Sequence, residues 1–163
     1  RVIVAIDPGT TESAWVVLKD GFPIAHGKEP NAAVLVRLRS EWQPAECRLA
    51  IEMIASYGMA VGKEVFETCV LIGRMVEAWT ARVGMVKLVY RREVKLFHCE
   101  TSKANDANIR AALIDRYGPG KEVAIGKKAA PGPLYGLKGD EWSALAVALT
   151  AEAKSQPLAA KPF

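Results

Sequence analysis

The chain has 163 residues, of which half are hydrophobic and a quarter are charged. One hydrophobic core commonly serves ~100–200 residues, so this composition predicts a single folded domain over residues 1–155 and excludes an intrinsically disordered protein. The uncharged stretch near the C-terminus, residues 142–151, is about half of the ~20 residues that a membrane span needs, so we expect a soluble protein. A formal net charge of +4 permits a polyanionic partner without requiring one.

The cysteines and the N-terminal segment bear on the cellular compartment. Cys47, Cys69 and Cys99 are odd in number and contain no C-x-x-C pair, which argues against a disulfide framework and against a zinc ribbon. The opening apolar run reaches a charged residue at Asp7, too early for a signal peptide. These features predict a protein of the reducing cytoplasm.

The order of the predicted elements indicates an α/β fold with a mixed sheet. Strands are predicted over 2–6, 13–19, 22–26, 48–52 and 87–90, and the Asp20-Gly21 pair is typical of a hairpin between the second and third strands. Helices are predicted from an N-cap at Asn31 to about Trp42, and over 61–82, 92–99, 105–117 and 140–154. Residues 121–139 are predicted to form a loop, and residues 156–163 a frayed tail.

Three carboxylates stand at the ends of apolar segments. Asp7 follows the first strand, Glu52 ends the fourth, and Asp140 precedes the closing helix. Each has a structural alternative: Asp7 can cap a turn, Glu52 can be a solvated strand end, and Asp140 can be a helix N-cap. Their co-occurrence favours a divalent-metal site, because such cations bind converging oxygen ligands on rigid elements.

Charge is unevenly divided along the chain. Residues 82–138 carry 12 Lys and Arg against 5 Asp and Glu, whereas the remainder carries 10 against 13. The basic part therefore suits the binding of phosphates, and the acidic part contains Asp7 and Glu52.

Five motifs carry a family resemblance across essentially the whole chain. They are Ile6-Asp7-Pro8-Gly9-Thr10, Ala50-Ile51-Glu52, the stretch 62–68, the stretch 107–116, and Asp140-x-x-Ser143-Ala144-Leu145-Ala146-Val147-Ala148. In this order they resemble the RuvC family of Holliday-junction resolvases, most closely its phage-encoded branch.

The resemblance implies a fold, an activity and a set of partners. The fold is ribonuclease H-like, with a five-stranded mixed sheet whose first three strands are antiparallel, flanked by helices. The activity is the resolution of four-way DNA junctions by paired symmetric nicks, with two Mg²⁺ ions per active site, for which Mn²⁺ can substitute. The protein would act as a homodimer in the cytoplasm of a bacterial host cell, and other branched DNA remains open as a substrate.

The resemblance also assigns roles to residues. Asp7 and Glu52 match the first two catalytic, metal-binding acids, and Asp140 matches the acid at the start of the last helix. Bacterial members carry a fourth acid where this chain has Ser143, so either three carboxylates suffice or Glu141 also binds metal. The helix over 61–82 matches the region that forms the family's dimer.

The expected DNA-binding residues come mainly from the basic part of the chain. They are Arg91, Arg92, Lys95, Lys103, Arg110, Lys127 and Lys128, with Lys87 as a further candidate and Tyr57 as a stacking aromatic. Lys95 and Lys103 flank the segment that faces the junction in the family. Residues 103–106 contain one basic residue fewer than the resemblance leads us to expect.

Two other functions fit parts of the sequence. The stretch 6–11 also resembles the phosphate loop of actin-like ATPases, but those enzymes need two such domains, which 163 residues cannot hold. Ser143 in place of an acid supports a junction-binding module that does not cleave DNA. A cleavage assay separates this module from a nuclease.

Overall fold

Five strands form one mixed sheet in the computed structural model of the protein, which describes residues 1–155; the predicted tail over 156–163 lies outside the described residues. The strands are β1 (Val2–Asp7), β2 (Glu12–Lys19), β3 (Phe22–Pro30), β4 (Arg48–Met53) and β5 (Val86–Tyr90). Their order is β3-β2-β1-β4-β5, with β1, β2 and β3 antiparallel and with β4 and β5 parallel to β1. This arrangement confirms the predicted mixed sheet.

Helices flank both faces of the sheet. They are α1 (Asn31–Val36), which continues as a π-helical turn over Arg37–Glu41, α2 (Lys63–Thr80), α3 (Arg91–Cys99), α4 (Asp106–Tyr117), α5 (Lys121–Ala124) and α6 (Glu141–Lys154). In the part of the chain that the structure describes, no helix is long and apolar enough to cross a bilayer.

Alternation along the central strand divides the interior into two cores. Ile3 and Ala5 of β1 pack with α3, α4 and α6 on one face, and Val4 and Ile6 pack with α1 and α2 on the other. Residues on both faces of β1 are buried because helices cover both, as a parallel sheet centre requires. Helix α6 is apolar nearly all round and lies in the first core, which fixes the position of its N-terminus at Asp140.

The third strand is longer than the sequence pattern predicts. It continues past His26 to Pro30, because its pairing with β2 extends to Glu12. At Gly27 an added Cβ would lie 2.8 Å from the ring of Trp15, so the missing side chain lets the two strands pack closely. The extension places Lys28 beside Ala14, which itself pairs with Asp7.

Residues 121–139, predicted to be a loop, contain regular structure. Helix α5 is followed by a hairpin of β6 (Gly126–Lys127) and β7 (Ala130–Pro131). The backbone N–H of Leu134 donates to the Ala124 carbonyl at 2.8 Å, and both side chains are fully buried. The many Gly and Pro residues of 121–139 predict only turns. The burial of Ala124 and Leu134 nevertheless fixes this segment against the core.

Candidate active site

Asp7 and Glu52 come together at the carboxyl ends of neighbouring strands. β1 and β4 run parallel with Ile6 opposite Ile51, so the next residue of each strand lies at the same edge of the sheet. The two carboxyl groups lie close enough for each to shift the pKa of the other, so one of them can hold a proton between the two. The sheet therefore holds two oxygen-rich side chains face to face.

This contact changes the acidity of both groups. Burial, then the charge of Glu52 and the shared hydrogen bond, raise the pKa of Asp7 to about 8. Burial also raises the pKa of Glu52. The negative charge of Asp140 raises both pKa values further, whereas the positive charge of Arg91 opposes the rise. At neutral pH the pair therefore retains a proton.

Hydrogen bonds from Asn31 order the loop that follows Asp7. The Asn31 amide donates to the carbonyls of Gly9 and Thr10, and its oxygen accepts from the Ser13 hydroxyl. Asn31 was predicted to cap α1, and that prediction is wrong: Pro30 occupies the N-cap, and Asn31 is the first helical residue. Its side chain instead ties the 8–11 loop to α1, which orders the backbone next to Asp7.

Asp140 stands at the N-cap of α6 with its side chain free of the helix. Its carboxylate makes no capping bond, because it accepts a hydrogen bond from the Lys28 ammonium at 2.8 Å. This bond and the charge of Asp140 raise the pKa of Lys28. The charge of Asp140, the predicted third acid, raises the pKa values of Asp7 and Glu52, so it acts on both. Its direct partner in this structure is Lys28.

Glu141 occupies a different environment from Asp140. The residue is 2% exposed, and one carboxylate oxygen accepts the Lys138 backbone N–H at 2.9 Å and lies 3.1 Å from Nδ1 of His26. These contacts anchor the N-terminal turn of α6 to β3. The hydrogen-bond partners of Glu141 are therefore His26 and Lys138, not Asp7 or Glu52.

The donor set of the acid pair fits a divalent cation. Within residues 1–155 no group of three or more Asp, Glu, His or Cys side chains is arranged as a closed metal site. The Asp7–Glu52 pair nevertheless offers hard carboxylate oxygens whose mutual repulsion favours a retained proton, with Arg91 opposing it in part. A cation can replace that proton, so Asp7 and Glu52 are the residues that fit a metal, with Asp140 as a further donor.

Four of the predicted DNA-binding residues line one cavity. Tyr57, Arg91, Arg92 and Lys95 surround a volume of about 530 Å³. Tyr57 lies in the turn after β4 with a positive φ of 47°. The residue is 61% exposed, so its ring is accessible from solvent. The structure thus brings one aromatic ring and three cationic side chains together on one surface.

The other predicted DNA-binding residues lie elsewhere. Arg110 stacks on the Trp142 ring at 4.3 Å and lines a second cavity beside Asp140. Lys103 is exposed in the turn before α4. Lys127 and Lys128 lie in the β6–β7 hairpin and do not line either of these two cavities.

Sequence reasoning missed two residues that contact the predicted acids or their neighbours. Lys28 falls beyond the predicted end of the third strand, and only the continued pairing with β2 reveals its approach to Asp140. Asp106 has no role in the sequence prediction, which notes only that residues 103–106 carry few basic residues, yet it forms an ion pair with Arg91. Neither contact has a signal in local sequence, because one joins distant elements and the other depends on how α3 and α4 pack.

A mixed sheet of order β3-β2-β1-β4-β5 with helices on both faces is the arrangement of the ribonuclease H-like fold. Solved structures with a similar fold include two of RuvC. RuvC of Thermus thermophilus matches with a TM-score of 0.67 and 16% identity, over 95% of this chain and 98% of that one. T. thermophilus RuvC in complex with a Holliday junction substrate matches with a TM-score of 0.61 and 19% identity, over 91% of each chain. No family model and no curated protein sequence matches the chain.

Proposed function

We propose that this chain is a metal-dependent endodeoxyribonuclease that resolves Holliday junctions, a RuvC-type enzyme of the phage-encoded branch acting in a bacterial cytoplasm. The observation that carries the proposal is the contact between Asp7 and Glu52 at adjacent strand ends. It occurs in a fold shared with a RuvC whose structure holds junction DNA. Three cysteines that are free within residues 1–155 accord with a reducing compartment.

Asp7, Glu52 and Asp140 would hold the metal, two Mg²⁺ ions per site with Mn²⁺ as a substitute. Bound Mg²⁺ would supply an activated water and neutralise charge on the leaving oxygen. The protein's own part is to place its carboxylates on rigid strand ends and on a helix start. Asp7 must lose its proton, and Asp140 must exchange Lys28 for metal, before all three act as ligands.

Junction DNA would be gripped by the surface around Tyr57. Arg91, Arg92 and Lys95 are placed to contact phosphates, and the exposed Tyr57 ring can stack on an unpaired base. Phosphate contacts make binding depend on salt, so we expect affinity to fall steeply between low and moderate ionic strength.

Homodimer formation would use α2. Phe66 and Val70 are 62% and 66% exposed on one side of this helix, one turn apart, although both are large and apolar. Leu71 and Met75 are apolar residues of the same helix, but both are buried in the core. A two-fold partner covering Phe66 and Val70 would place two sites for symmetric nicks.

Replacement of Asp7 by Asn tests the nuclease. We expect the wild-type protein to cut a synthetic four-way junction in Mg²⁺ and the Asp7→Asn variant to be at least ~100-fold slower, because a neutral amide is a poor metal ligand. Junction binding in Ca²⁺, measured by gel shift, should persist in the variant. Near-normal cleavage by Asp7→Asn would contradict the assignment of the site.

A non-cleaving junction-binding module is the second candidate, favoured by Ser143. This residue lies in the cavity beside Asp140, where it adds a hydroxyl and no charge. The same assay separates the two functions. Junction binding by the wild-type protein without cleavage in Mg²⁺ or Mn²⁺ would establish the module.

A further inference from the structure

Arg91 occupies a position between two acids of different elements. It is the first residue of α3, and its side chain is 29% exposed. One guanidinium nitrogen lies 3.8 Å from a carboxylate oxygen of Glu52, and the other nitrogen is in contact with the Asp106 carboxylate at the start of α4. The Asp106 contact is close, whereas the Glu52 contact is too long for a hydrogen bond.

Arg91 also joins two cavities. One is the surface with Tyr57, Arg92 and Lys95, and the other, of about 310 Å³, is lined by Asp106, Arg110, Asp140 and Ser143. Among the described residues, Arg91 is the one that lines both. Because Arg91 also lies 3.8 Å from Glu52, a DNA strand running from the basic surface to the acid pair would pass this guanidinium.

We propose that Arg91 binds a non-bridging oxygen of the DNA phosphate that enters the Asp7–Glu52 site, with Asp106 holding its guanidinium in position. This proposal rests on the proposed nuclease function. A guanidinium presents several N–H donors in one plane, so it can keep Asp106 while it exchanges the loose Glu52 contact for a phosphate oxygen. That exchange also frees Glu52 to bind metal.

Two cations and two acids line the second cavity, namely Arg91, Arg110, Asp106 and Asp140. Ser143 contributes no charge, and the stacking of Arg110 on Trp142 fixes the position of the second cation. Of the two cations, Arg91 is the one that approaches Glu52, so it is the one placed to meet a phosphate at the acid pair.

The test compares four variants for cleavage and for binding. Arg91→Gln removes the charge, Arg91→Lys keeps the charge without the planar donors, and Asp106→Asn keeps Arg91 but loosens its anchor. Arg48→Gln is the matched control, because Arg48 is exposed at the other end of β4 from Glu52. Cleavage of a four-way junction is measured in single turnover with saturating protein in Mg²⁺, and binding in Ca²⁺ over a salt series. Thermal unfolding checks that each variant is folded.

The expected results differ between the variants. Arg91→Gln should cleave ~10–100-fold more slowly at saturation and lower the salt slope of binding by about 1. Arg91→Lys should restore the salt slope but not the full rate, and Asp106→Asn should keep the slope and lose several-fold in rate. Arg48→Gln should stay within about two-fold of wild type.

Failure of this inference and failure of the proposed function give different results. If wild type cleaves and Arg91→Gln cleaves within two-fold of it with an unchanged salt slope, the phosphate role of Arg91 is wrong. An Asp106→Asn rate within two-fold of wild type would overturn the anchoring role. If wild type binds but never cleaves, the nuclease proposal fails, and the salt slope alone decides on Arg91. If wild type does not bind junctions, both proposals are overturned.

Discussion

The contact between Asp7 and Glu52 opposes folding when no cation is present. Two carboxyl groups are taken out of water and placed against each other, and the pKa of Asp7 rises from its ordinary 3.8 to about 8. Below pH ~4 Asp7 is protonated in both the folded and the unfolded state. Between about pH 4 and pH 8 only the folded state keeps the proton, so the free energy of unfolding falls as pH rises.

We predict that Asp7→Asn stabilises the metal-free protein at pH 8 by about 2–4 kcal/mol, because the amide cannot ionise. Urea denaturation in EDTA from pH 4 to pH 8.5 measures the difference between variant and wild type, which should grow with pH. Asp115→Asn is the control, since Asp115 is exposed on α4. A constant difference across this range would show that the Asp7 pKa is not raised.

The acid pair was readable from the sequence, and its surroundings were not. Asp7 and Glu52 each follow an apolar run, so their place at strand ends needs only local pattern. Lys28 on β3 meets Asp140 from far along the chain, and Asp106 meets Arg91 through the packing of α4 beside α3. Such contacts depend on tertiary packing. The hydrophobic periodicity of a segment predicts its own secondary structure but not which other segment packs against it.

At the scale of elements, the β1–β2 connection is held by a helix rather than by its own turn. Asn31 of α1 provides two amide hydrogen bonds to the carbonyls of Gly9 and Thr10. An added Cβ at Gly9 would meet the Glu12 carbonyl oxygen at 2.3 Å, so this loop is also too tight for a side chain at that position. The ordering of the segment after Asp7 thus depends on α1.

We predict that Asn31→Asp lowers the free energy of unfolding by about 1–3 kcal/mol. The carboxylate keeps the acceptor for Ser13 but removes both donors and leaves two carbonyls without them. Urea denaturation measures the loss, and amide hydrogen exchange at Thr10 and Thr11 should quicken with it. Unchanged stability and exchange would show that the loop orders itself.

The elements themselves illustrate how far a local pattern extends. Apart from β3, the main strands and the long helices lie close to their predicted bounds, because the apolar patterns there are strong. The end of β3 was missed since His26–Pro30 carries no apolar alternation, and its pairing with β2 determines it. The β6–β7 hairpin was missed because Leu134 and Ala124, not the Gly and Pro residues around them, hold it.

At the scale of the whole molecule, the sheet separates two surfaces. Helices α3 and α4 lie on the face of the first core, and α2 lies on the face of the second. The exposed Phe66 and Val70 are therefore across the sheet from Arg91 and Lys95. A dimer through α2 would leave the basic helices of both copies free for DNA.

We predict that Val70→Glu converts a dimer into monomers, because it buries a charge in the proposed contact. Sedimentation equilibrium measures the change, and Val83→Glu is the control, since Val83 is 93% exposed in the turn after α2. Paired nicking of a junction should become sequential single nicking in Val70→Glu. A wild-type monomer, or a dimer that persists in Val70→Glu, would contradict the role of α2.

The parallel pairing of β1 with β4 also affects the order of folding. β1, β2 and β3 are joined by short connections, whereas Ile3 meets Arg48 only after more than forty residues of intervening chain. Closing that longer loop is entropically harder, so the meander can form before β4 docks. Asp7 therefore acquires its repulsive neighbour only at the docking step. A refolding chain would experience the acid pair as a late barrier, which raised pH would heighten and a divalent cation would lower.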